Sequence, residues 1–160
     1  MTRITFIPVR NKHLTLLARN PVFKAFAANT RMAQPQQTNL ALDARQAFDS
    51  VEHGQGTDYH RDILAGTANV VMVLAEKHCA QDDLDAAIAA QCALLRADSR
   101  LLTGKRWNFD GEGRTAMLNM LDVHEQMLAI FGQATLTDAL LTVMERRARG
   151  QVHRIEKGAA

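Results

Sequence analysis

From Ile63 to Ala75 the chain is almost entirely apolar, and the spacing around that run is helical rather than alternating. A helix that is apolar on every side has no face to turn to water, so it has to be surrounded by others. Its longest uninterrupted stretch, Val70 to Ala75, falls far short of the ~20 residues that cross a bilayer. It is therefore a core element and not a span. Asn69, in the middle of it, then has to be a buried polar group with a partner, the kind that fixes packing register.

The flanking segments carry the same helical periodicity, with Gly and Pro at their boundaries. Thr38 is placed to cap a helix whose Leu40, Ala44, Ala47, Phe48 and Val51 form one face and which His53-Gly54-Gln55-Gly56 ends. Thr57 is placed to cap the central helix. Asp82, Asp83 and Asp85 suit the positive first turn of the next one, which Leu84, Ile88, Cys92, Leu95 and Leu102 stripe up to Gly104. After a loop from Lys105 to Gly113, Met117, Leu121, His124, Leu128 and Phe131 share one side of a further helix, ended by Gly132. Thr135 or Thr137 would cap the last helix, with Leu140, Val143 and Met144 as its core face. Upstream, Asn20-Pro21 opens a helix to about Met32 that Gln34-Pro35-Gln36-Gln37 breaks, a short helix crosses His13 to Arg19, and Ile4 to Val9 reads as extended. The expectation is an all-α, single-domain bundle of five to seven helices, with a short extended basic arm in residues 1–37, a core over 38–150 and a frayed tail over 151–160.

Charge is distributed unevenly along this frame. The first 42 residues hold Arg3, Arg10, Lys12, Arg19, Lys24 and Arg31 and no carboxylate, although the whole chain is only +2. Residues 43–98 compensate with ten acids against four bases. The arm has the acid-free composition of an organellar transit peptide but is poor in Ser, so it reads as part of the mature fold. Cys79 and Cys92 form no CxxC pair and read as free core cysteines in a reducing cytoplasm.

No catalytic signature accompanies the fold, and the expectation is a protein that is not an enzyme and carries no metal or other cofactor. The six histidines lack the HExxH or ExxH spacing that puts two ligands on one helix face. His124 lies on an apolar helix face, where a hydrogen-bonded core histidine is the simpler account. Gly111-Glu112-Gly113-Arg114-Thr115 lacks both the Walker and the Rossmann pattern, and helix capping by Asp110 explains it better.

Two surfaces carry binding potential. Trp107, the only Trp, stands in the loop Lys105-Arg106-Trp107-Asn108-Phe109, and Trp with Arg is enriched at interface hot spots. The same two aromatics could instead plug the end of the bundle. The second surface is the arm, through Arg10, Lys12 and Arg19. Together with Arg146, Arg147, Arg149, Arg154 and Lys157 it also allows nucleic-acid binding, since phosphate contacts need little more than Lys/Arg density. A recognition helix after His53-Gly54-Gln55-Gly56 is excluded, because the helix there is apolar and base edges are read by polar side chains.

Leu42-Asp43-Ala44-Arg45-Gln46-Ala47-Phe48, Gly54-Gln55-Gly56-Thr57, Ala68-Asn69-Val70, Leu74-Ala75-Glu76, Leu121 to Met127 and Arg146-Arg147 resemble small, uncharacterised helical proteins encoded in proteobacterial prophages and mobile elements. The resemblance covers residues 38–150 and implies a cytoplasmic accessory protein that binds a host or element protein. An inhibitor of a host complex, such as a CRISPR or other defence effector, fits that setting. A nucleic-acid accessory factor is the alternative, and a homodimer formed by exchange of the arm is also allowed.

Overall fold

The computed structural model describes residues 32–78 and 80–151. Among them are five helices and no strand: α1 (Gln34–Glu52), α2 (Asp58–His78), α3 (Gln81–Leu102), α4 (Gly111–Ile130) and α5 (Gln133–Ala148). The chain is an all-α bundle, as its periodicity requires. The expected elements before Met32, Cys79 and the tail beyond Gln151 lie outside the described residues.

α2 is the central helix and packs against all four others. Ala68 through Ala75 are buried without interruption, Asn69 among them. Gln91 of α3, itself buried, donates its side-chain amide to Asn69 Oδ1 at 2.8 Å. The partner that a buried amide needs is thus supplied from the neighbouring helix. Thr57 sits at the start of α2, where its backbone N–H donates to His60 Nδ1 at 3.1 Å. His60 thus supplies one half of a capping box, with an imidazole in the place usually taken by Glu or Gln, while Thr57 Oγ1 contacts the same ring nitrogen at 3.0 Å.

α3 buries a different face from the one its largest side chains suggest. Its inward line runs through Ala87, Ala90, Gln91, Leu94, Ala97 and Asp98. Leu84 and Ile88 only flank the core, and Cys92 and Leu102 are exposed. Cys92 is therefore not a core thiol. The cause is helix spacing: small residues let α3 approach its neighbours closely, and a Cβ on Gly113 of α4 would stand only 3.2 Å from that of Ala93.

Other boundaries also differ from expectation. α1 begins at Gln34, so Gln34-Pro35-Gln36-Gln37 forms its first turn, ahead of the cap expected at Thr38. Proline costs nothing in a first turn, whose N–H groups have no intrahelical acceptor. Thr38 lies inside α1 and donates to Gln34 O at 3.0 Å. α4 begins at Gly111, with Asp110 accepting from Gly113 N–H at 2.6 Å. That bond, with Arg96 alongside, holds the Asp110 carboxyl below its ordinary range. At α5 the cap position is Gly132, and Thr135 and Thr137 are both inside the helix.

Among the described helices α5 packs on α2 alone. Phe131, just before it, stacks on His78, and Arg146 near its end pairs with Glu76 at 3.1 Å. Glu76 and His78 are two positions apart, while Phe131 and Arg146 are separated by about 1.5 Å of rise per residue over most of a helix. Both ends of α5 thus reach the same turn of α2, and α5 crosses that end of the bundle instead of running beside it.

Candidate functional site: the α3–α4 tip

At the opposite end, the α3–α4 connection combines a buried stem with an exposed tip. Asp98, 7 % exposed, is the hub of the stem. Its Oδ1 accepts from Trp107 Nε1 at 2.9 Å and its Oδ2 from Arg61 Nε at 2.8 Å. Burial works against the Arg61 charge, but the bonds and charge of Asp98 outweigh it and leave that guanidinium more firmly protonated than usual. Trp107 lies over Gly56, where a Cβ would come within 2.4 Å of the indole ring. Phe109 stacks on Phe48 of α1 with ring centroids 5.8 Å apart. Trp107 and Phe109 therefore seal the bundle from inside, at 8 % and 7 % exposure. They are the plug of the two readings that the sequence leaves open.

Between Asp98 and Trp107 the chain turns outward. Leu101, Leu102, Thr103, Gly104, Lys105 and Arg106 are all exposed, the leucines at 54 % and 50 %. The turn is closed at its helix end by two backbone bonds: Lys105 N donates to Arg100 O and Gly104 N to Leu101 O, both at 3.0 Å. Gly104 takes φ 75°, the left-handed conformation that closes helix C-termini of this type. Arg106 lies across the turn at Gly54, its guanidinium 3.6 Å from where a Cβ there would stand. Neither Lys105 nor Arg106 makes an ion pair among the described residues. Tyr59, 66 % exposed, occupies the first turn of α2 beside this end.

The site residues expected from sequence thus separate into two roles. Lys105 and Arg106 face water, Trp107 and Phe109 hold the loop from below, and Arg10, Lys12 and Arg19 lie outside the described residues. Sequence reasoning missed Asp98, Arg61 and Gly56. A carboxylate four positions after the core residue Leu94 was the available signal, because a buried acid on a core face requires a cation or donors.

His124 is buried, at 7 % exposure, but its Nδ1 has no hydrogen-bond partner, contrary to the expected bonded core histidine. Burial pushes its pKa down to about 4. Beside it, Arg45 of α1 bridges Asp122 and Glu125 of α4, with Nε–Oε1 at 2.7 Å to Glu125. Among the described residues no three His, Cys, Asp or Glu side chains converge as metal ligands, and no helix is long and apolar enough to cross a membrane. No family model matches the chain, and no curated protein and no solved structure matches it either.

Proposed function

We propose that this protein works by association with another protein, without catalysis, and that the tip Leu101–Arg106 is its contact surface. The observation that carries this reading is the pairing of two half-exposed leucines with two cations that make no ion pair among the described residues, on a turn closed by backbone hydrogen bonds of Gly104 and Lys105. Exposed apolar side chains rimmed by polar ones mark protein–protein contact sites, and Arg is enriched at interfaces. A turn that needs no ordering on binding loses less entropy when it docks. The buried stem of Asp98 and Trp107 supports the same reading by fixing the direction in which the tip projects. The basic arm, through Arg10, Lys12 and Arg19, would add a second, electrostatic contact.

The resemblance of residues 38–150 to proteins of mobile elements supplies the setting: a cytoplasmic accessory factor that blocks a host complex such as a defence effector. That setting rests on analogy and not on geometry. A nucleic-acid factor is the competing reading, favoured by the exposed Arg147 in the last turn of α5 and Arg149 just beyond it. Affinity purification of the tagged full chain from a host lysate, with and without nuclease, separates the two. We expect a stoichiometric protein that survives nuclease and is lost from the L101S/L102S variant. Recovery that collapses on nuclease treatment would overturn protein association in favour of nucleic acid.

A further inference from the structure

We infer that the partner surface recognised by the tip is an acidic amphipathic segment, a peptide helix with carboxylates along one edge and large apolar side chains on its face. This rests on the association reading above and adds the chemistry of the partner.

From Ser99 to Phe109 the chain holds Arg100, Lys105 and Arg106 and no carboxylate. The acids of this end are largely committed elsewhere: Asp98 to Arg61, Asp110 to Arg96 at 3.2 Å and Glu52 to Arg114 at 3.2 Å. Asp58 and Glu112 stand in the first turns of α2 and α4, where the helix dipole favours them. The tip itself is left positive, and no carboxylate among the described residues pairs with Lys105 or Arg106.

Charge alone would suit any polyanion, and the leucines decide between classes. Leu101 continues the inward line of α3 through Leu94, Ala97 and Asp98, one turn beyond the point where neighbouring helices cover it. It therefore presents a core-type face at the end of the bundle. A phosphate backbone offers nothing to bury Leu101 and Leu102 against, whereas single-stranded bases are gripped by aromatic platforms. Tyr59 is the only exposed Phe, Trp or Tyr among the described residues. An amphipathic helix satisfies both demands, laying apolar anchors on the leucines while its carboxylates meet Lys105 and Arg106.

The test uses the full chain and fluorescence anisotropy with a labelled synthetic helix bearing Glu along one edge and Leu on its face. Three further probes accompany it: the same helix with Leu replaced by Ser, the same helix with Glu replaced by Lys, and a single-stranded oligonucleotide of equal charge. L101S/L102S and K105E/R106E are the variants. The unique Trp107, whose emission reports the stem, and the helical circular dichroism show that each is folded.

The expected result is saturable binding of the acidic helix, weakened about tenfold or more by either double variant, with the Lys helix gaining on K105E/R106E. Absence of saturable binding at millimolar probe overturns the inference, and the lysate experiment then tells whether association falls with it. Leucine-dependent binding of the Lys helix overturns the acidic partner and leaves association standing. Oligonucleotide binding that K105E/R106E abolishes and L101S/L102S leaves intact overturns both.

Discussion

Asp98 and Trp107 are joined by a 2.9 Å hydrogen bond that closes the base of the α3–α4 turn. Apart from the half-buried Arg100, everything between them is exposed, and both of them are buried, so this one bond separates core from surface. The carboxylate also neutralises Arg61, which ties the first turn of α2 into the same knot.

Removing the hub should therefore cost more than removing an ordinary surface charge. Asp98→Ala leaves a half-buried guanidinium and an indole N–H without their acceptor, a situation that costs about 3–5 kcal/mol. Urea denaturation should show the midpoint falling with unchanged slope, and Trp107 emission in the folded variant should shift to the red. A loss below about 1 kcal/mol, the usual value of an exposed pair, would mean that Asp98 does not hold the stem.

Arg45 provides the contrast. It bridges Asp122 and Glu125, but these partners are 60 % and 42 % exposed. Its guanidinium is raised in pKa chiefly by the hydrogen bond to Glu125, yet screening by solvent discounts that shift heavily. Arg45→Ala should destabilise by no more than about 1 kcal/mol, and the effect should shrink as salt is added. A salt-independent loss as large as that of Asp98→Ala would place this bridge in the core instead.

Gly56 is constrained by contact and not by backbone conformation. A methyl group there would lie 2.4 Å from the Trp107 ring and 3.1 Å from Val51 Cγ2. Because the indole is pinned by Asp98, it cannot move away without breaking a buried bond. Gly56→Ala should cost about 1–3 kcal/mol, the range for overpacking, visible as a lower thermal midpoint. Combined with Trp107→Phe, whose smaller ring relieves the contact, the substitution should be less harmful than the sum of the two alone.

The helices were legible because their signals are local. The apolar run of α2, the acidic start of α3 and the Asp110 cap each depend on neighbours within a turn or so. The face of α3 was not legible, since large side chains such as Leu102 mark a stripe only where another helix is present to cover them. At its end none is, and the true line is drawn by Ala87, Ala90 and Ala97, whose small size announces close packing only once the partner is known. The stem was hidden for a related reason. Asp98, Arg61 and Trp107 belong to three segments, and nothing in their spacing brings Arg61 to Asp98 across 37 positions.

His124 makes stability depend on pH in a window set by its own shift. In the folded protein its pKa is pushed down to about 4, first by burial and then by Arg45, with Glu125 acting in the opposite direction. In the unfolded chain it returns to about 6.5. The unfolded state therefore binds the proton first, so the stability is fully present above about pH 6.5 and is lost as pH falls toward 4. A shift of this size corresponds to about 3 kcal/mol between those limits. His124→Leu, close in volume and without a group to protonate, should flatten the unfolding free energy across that interval while leaving the steeper loss below it, where carboxylates such as Asp110 titrate. Denaturation curves at half-unit steps from pH 7.5 to 3.5 would check this, and an unchanged slope in the variant would show that His124 is already protonated in the folded bundle.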